Sequence, residues 1–138
     1  MNEIFEYIKK IENEYGITLK YHKVKRTEEE LKNVPILLRD LYRNVDGIIF
    51  PFGTVYTLEE ALRKSENLMS GIFFSFGQDY TNDHRWLCSY KPNEIGASFN
   101  LCTFSEPDNV TGLYREVIEF FEEMRRDYDE DPWNKQMM

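Results

Sequence analysis

The sequence is short of the features that would settle its function quickly. It has two cysteines and two histidines in 138 residues, too few thiols for a disulfide framework, so Cys88 and Cys102 read as small buried apolar residues of a reduced protein. No apolar run approaches the roughly 18 residues of a membrane span. The start, MNEIFEYIKK, lacks the basic head, apolar middle and small-residue cleavage site of a signal peptide, so a cytoplasmic protein is expected. The seven glycines are scattered, with Gly47, Gly53, Gly71 and Gly77 near element ends, and they form neither a phosphate-cradling loop nor a dinucleotide fingerprint. No cofactor is expected. No linker, repeat or low-complexity segment divides the chain, and 41% hydrophobic residues suffice for the core of one domain spanning 1–138.

Basic residues are also scarce, 17 against 25 acidic ones, for a formal net charge of -8. Such a field repels nucleic acid and anionic membrane and attracts basic proteins. The excess gathers at the end, in EFFEEMRRDYDEDPWNKQMM, with an acidic tail from about 129 to 138. That run fits either a solvated helix face with a frayed end or a docking surface for a basic partner.

Periodicity then supplies the elements. Ile4, Ile8, Ile11 and Tyr15 recur at helical spacing and Gly16 supplies the cap, which predicts a helix from about 3 to 14. ITLKYH alternates as a strand with Ile17, Leu19 and Tyr21 on one side. Thr27 and Glu30 form a capping box, predicting a helix start, and Pro35 opens a second helix carrying Leu37, Leu38, Leu41, Tyr42 and Val45, closed by Asp46-Gly47. IIFPFGTVY reads as strand, turn and strand. A second capping box, Thr57 and Glu60, starts a helix to about Leu68 with Ala61, Leu62, Ser65 and Leu68 inward. Three strands at 71–76, 84–90 and 97–104 follow as an antiparallel meander, with the turn at 77–83 exposed, and after SEPDN a last helix with Leu113, Val117, Phe120, Phe121 and Met124 on one side ends near Tyr128. The expected class is an α+β single domain, a mostly antiparallel sheet with flanking helices.

Within GIFFSFGQDYTNDHRWLCSY, two aspartates, a histidine and a cysteine fall close together. His84 and Cys88 share a strand face, but a rise of about 3.3 Å per residue sets them about 13 Å apart, too far for one zinc ion or for a direct base–nucleophile pair. Cys88 and Cys102 can be neighbours across the second hairpin, yet no third and fourth metal ligand is evident. Asp79 and Asp83 flank a turn and could converge as a carboxylate pair, although Asp and Asn are also what turns use for local backbone bonds. The aromatics Phe73, Phe74, Phe76, Trp86 and Phe99 read as core more readily than as a base-stacking platform, given the missing basic field.

Taken together, TEEELKNVPILLRDLYRNVDGIIFPFGTVYTLEEA, GIFFSFGQDYTNDHRWLCSY and EVIEFFEEM resemble the SUKH superfamily, the Smi/Knr type of proteins, over about residues 24–128. The resemblance rests on Pro35, Leu38, Leu41, Tyr42, Asp46-Gly47, Leu58 to Ala61, Gly77, Asp79 and Trp86. The sequence departs in having Asp46 where asparagine is usual and Gln78 between Gly77 and Asp79. The resemblance implies a sheet of five or six strands, no catalytic residues, and a protein-binding role. Bacterial members are similar to immunity proteins that neutralise toxins, often nucleases, and fungal relatives are linked to regulation of cell-wall glucan synthesis.

The expected function is therefore a non-enzymatic module that binds a basic protein partner, with Asp79, Tyr80, Asp83, Trp86, Tyr128, Asp129, Glu130 and Trp133 as candidate contacts. The alternatives are a small-ligand-binding domain, with a cavity lined by the sheet's aromatics, or an enzyme using Asp79, Asp83 and His84.

Overall fold

The computed structural model describes residues 3–66, 68–91, 96–104 and 111–131. Trp133, most of the KPNEIG turn and the SEPDN break lie outside the described residues. The chain runs α1 (Glu3–Tyr15), β1 (Lys20–Lys23), α2 (Ile36–Asn44), β2 (Val45–Phe50), β3 (Gly53–Val55), α3 (Leu58–Ser65), a 3-10 turn (Leu68–Gly71), β4 (Phe73–Asp79), β5 (His84–Ser89), β6 (Phe99–Thr103), β7 (Thr111–Tyr114) and α4 (Val117–Glu130). The expected α+β class and the antiparallel meander are what the structure shows. The sheet has seven strands in the order β1 to β7, each antiparallel to its neighbours. The strand beyond the expected set is β7.

Two local expectations are corrected. The Thr27–Glu30 capping box forms, with Thr27 Oγ1 accepting from Glu30 N at 3.3 Å and Glu30 Oε1 accepting from Thr27 N at 3.1 Å, but it caps no α-helix. The chain makes only i→i+3 bonds there, Leu31 N to Glu28 O and Val34 N to Leu31 O. Pro35 lacks an N–H and would clash with the carbonyl four residues back, so too few residues remain for a helical nucleus to propagate. Nor does Gly47 close α2. The Arg26 guanidinium does that from outside, donating to Tyr42 O at 2.6 Å, Val45 O at 3.1 Å and Asp46 Oδ1 at 2.6 Å, while Gly47 lies within β2 at φ 82°. The same Asp46 oxygen accepts from Leu58 N at 2.9 Å and so ties the start of α3 to the end of α2.

The strand expected from Ile17 begins at Lys20 because the preceding residues finish α1. Gly16 turns left-handed (φ 65°), Ile17 N donates to Glu12 O at 3.1 Å, and Leu19 N donates to Glu12 Oε2 at 2.9 Å. This is a Schellman-type end, which leaves Ile17 41% exposed. At the start of α3 the Thr57 half of the expected box is present, Thr57 Oγ1 accepting from Glu60 N at 3.2 Å. That helix ends at Ser65, short of Leu68, and Ser65 Oγ takes up Ser75 N of β4 at 2.8 Å.

The core lies between one sheet face and the helices, as a run of contacting rings: Tyr7 of α1, Phe50 and Phe52 of the β2–β3 hairpin, Phe76, Trp86 and Phe99 of the central strands, and Phe120 and Phe121 of α4. Trp86 is fully buried. Its indole lies so close over β3 and β4 that a Cβ on Gly53 would come within 2.3 Å of Cζ2, and one on Gly77 within 2.6 Å of Cε3. These two glycines keep the backbone bare where the largest core ring crosses it.

The two cysteines are free and buried, but they are not neighbours across the β5–β6 hairpin. The register pairs Cys88 with Phe99 and Cys102 with Arg85. With side chains alternating along a strand, this puts the two thiols on opposite faces of the sheet.

Candidate functional site

The β4–β5 connection is built around one carboxylate. Asp79 ends β4 with a side chain only 11% exposed. Its Oδ1 accepts from Asp83 N and His84 N, both at 3.1 Å, and its Oδ2 accepts from Thr81 Oγ1 at 2.7 Å and faces His84 Nδ1 at 2.9 Å. A carboxylate oxygen only accepts, so Nδ1 carries the hydrogen in this contact. Asn82 takes the left-handed conformation (φ 64°) that asparagine tolerates, and Asn82 N donates to Asp79 O at 3.1 Å. The exposed turn is therefore shorter than the expected 77–83: Gly77 and Asp79 are buried in β4, and only Thr81, Asn82 and Asp83 are exposed.

The turn abuts the far end of two helices. Tyr7 stacks on Phe121, Lys10 pairs with Glu122, Glu14 pairs with Arg125, and Tyr15 meets Tyr128 edge-on with centroids 6.2 Å apart. These pairings advance in step, so α1 and α4 run parallel and end side by side. Tyr80, from the turn, meets Tyr128 edge-on at 5.0 Å and donates to Asp131, while Tyr15 donates to Asp129. Three tyrosines from three parts of the chain thus form one row at this end.

The electrostatics of that end run against local helix rules. Neither α1 nor α4 has a basic residue in its last turn, although a helix C-terminus carries roughly half a negative charge and is stabilised by cations. α1 brings Glu12 and Glu14 there instead, and α4 brings Asp127, Asp129 and Glu130, followed by Asp131. Arg125 offsets part of this through its pairs with Glu14, Glu122 and Asp129, and Arg126 pairs with Glu123. The Asp127 carboxyl is pushed above its usual range by partial burial first and by Glu130, against the opposing pull of Arg126 and His84. Burial and the bond to Asp131 raise the Tyr80 phenol, and burial and the bond to Asp129 push Tyr15 up to about 12.

Of the residues proposed from sequence, the structure brings together Asp79, Tyr80, Asp83, Tyr128, Asp129 and Glu130. Asp129 and Glu130 stand on the last turn of α4 rather than in a tail. Trp86 is corrected from contact to core, since it has no exposed surface, and Trp133 is outside the described residues. Asp79 and Asp83 do not form a carboxylate pair, because the Asp79 oxygens are taken up by the turn and Asp83 contributes its backbone N–H to them. Asp79 and His84 do meet, as a base and its orienter would, but the Thr81 hydroxyl is spent on Asp79 and the Cys88 thiol lies in the core, where burial pushes it up to about 12. Among the described residues no three His, Cys, Asp or Glu side chains gather as metal ligands, and no helix is long and apolar enough to cross a membrane.

Sequence reasoning missed Tyr15 and Asp127. Tyr15 looked like the last core position of α1, and only the parallel course of α1 and α4 makes it part of this end. No protein-family model matches the chain, and neither a curated protein nor a solved structure matches it.

Proposed function

We propose that this protein is a non-enzymatic, cytoplasmic binding module that captures a basic protein on the end formed by the β4–β5 turn and the C-termini of α1 and α4. The observation that carries this reading is that two parallel helices end side by side in carboxylates, without a base in either last turn. Places where a chain departs from its own local rules are where function is expected. A cationic partner would relieve that crowding, and the tyrosine row offers it amphipathic rings that can take both apolar contact and cation–π contact. The resemblance to the SUKH superfamily narrows the reading to an immunity-type protein for a basic toxin, such as a nuclease, or a Smi/Knr-like regulator. The focused negative field would steer encounter with a nuclease's basic groove.

The variant that tests this is Asp83→Asn, Asp127→Asn and Glu130→Gln together. These three carboxylates make no side-chain hydrogen bond among the described residues, whereas Asp129 and Asp131 serve the phenols of Tyr15 and Tyr80. With an inactivated basic nuclease domain as the probe, association should slow several-fold and lose part of its salt dependence, with dissociation changed less. Equal association rates for wild type and variant at low and high salt would refute the assignment of this end. A second reading, an enzyme built on Asp79 and His84, draws on their 2.9 Å contact and requires a turnover that His84→Ala abolishes.

A further inference from the structure

At the opposite end of the parallel helices, about 20 Å away by the rise of a 13-residue helix, the first turns of α1, α2 and α4 surround a cavity of about 710 Å³. Its walls are aliphatic. Ile36 and Leu37 of α2 are 74% and 48% exposed, and Val117 and Ile118 of α4 face them. Among the described residues its charged lining is all of one sign: Glu3, Asp40 and Glu116, with no lysine or arginine. Glu3 and Glu116 stand at the N-terminal ends of α1 and α4, where the helix dipole favours negative charge. Asp40 is held from outside by Arg43.

Large aliphatic side chains left open within an anionic rim restrict the occupant. A second copy of the chain, with its own charge of -8, is repelled, and so is an anionic lipid surface. We propose that this groove is a docking site for a basic amphipathic segment of the partner protein, whose apolar side chains fill the space between Ile36, Leu37, Val117 and Ile118 while its lysines or arginines reach Glu3, Asp40 and Glu116. The proposal rests on the reading that the partner is basic, and adds a second, apolar point of contact about a helix length from the acidic end. Charge at the acidic end then sets the association rate and apolar burial in the groove holds the complex.

The probe is a fluorescently labelled peptide of about five helical turns, with Leu at i, i+3, i+4 and i+7 positions and Lys elsewhere, titrated against the full chain by anisotropy. Ile36 and Leu37 are exposed, so Ile36→Lys/Leu37→Lys should fold with an unchanged circular dichroism spectrum and Tm. This double variant should weaken peptide binding about tenfold or more, since it removes apolar burial and adds like charge to the peptide. The acidic-end triple variant should bind the peptide as wild type does, and the same peptide with Glu for Lys should not bind. The proposal is overturned if the chain does not bind the Lys peptide, if the groove variant binds it unchanged, or if only the acidic-end variant loses it. The last result would leave the acidic end as the whole docking surface and the proposed function intact.

Discussion

Replacing Asp79 separates organisation of the turn from direct contact with a partner. Its carboxylate receives four polar contacts, from Asp83 N, His84 N, Thr81 Oγ1 and His84 Nδ1. A hydrogen bond to a charged group contributes about 1.5–3 kcal/mol. The turn is at the rim of the sheet, where water can replace part of what is lost, and contributions on one side chain are not additive. Asp79→Ala should therefore cost about 2–4 kcal/mol in total, a large effect for one substitution. For a chain of 138 residues, each kcal/mol corresponds to roughly 3–5 °C, so Tm should fall by roughly 6–20 °C. Asp79→Asn keeps one oxygen for the two backbone donors, and its amide can donate to the Thr81 hydroxyl and to His84 in its other tautomer. It should cost about 1 kcal/mol. Urea denaturation followed by circular dichroism measures both, and binding to the proposed basic partner at a temperature where both variants are folded separates turn order from direct contact. If Asp79→Ala lies within about 0.5 kcal/mol of wild type, or if Asp79→Asn is as damaging as Asp79→Ala, the network is not what holds the turn.

Gly77→Ala tests the seat of Trp86. The new Cβ would stand 2.4 Å from Thr54 O and 2.6 Å from Trp86 Cε3, so a cost of about 1–3 kcal/mol is expected, and a Tm unchanged on differential scanning calorimetry would show that the ring is not fixed there. Asp127→Asn tests the crowding of carboxylates. The folded state raises the Asp127 pKa above its ordinary 3.8, so it binds the proton more tightly than the unfolded chain, and the stability this gives is present below pH 3.8 and lost as pH rises through the raised value. The variant should melt higher than wild type at pH 7 and alike well below pH 3.8, and a lower Tm at pH 7 would contradict the sign.

The local elements were largely legible in the residues themselves. Ile4, Ile8 and Ile11 at helical spacing before Gly16, the Thr57 cap on Glu60, and the strand-like runs GIFFSF and HRWLCSY set off by turn formers define α1, α3 and the meander, because period and turn chemistry are short-range properties. The turn bonding of Asp79 was legible for the same reason. What failed locally failed through distant groups. Arg26, sixteen residues before Tyr42, supplies the end of α2 that Gly47 was expected to make, and Pro35 withholds a helix from a capping box that is otherwise complete. The register that separates Cys88 from Cys102 is a property of two strands and not of either one.

The acidic, base-poor composition set the sign of the protein's field before any fold was known. Only the tertiary structure decided that these carboxylates gather, by running α1 parallel to α4 so that two helix C-termini and two sets of carboxylates meet at one end. It also decided that Trp86 is fully buried while Tyr15 is half-buried at the edge of the core. Burial depends on what the rest of the chain places over a side chain, and neither residue carries that information in its neighbours.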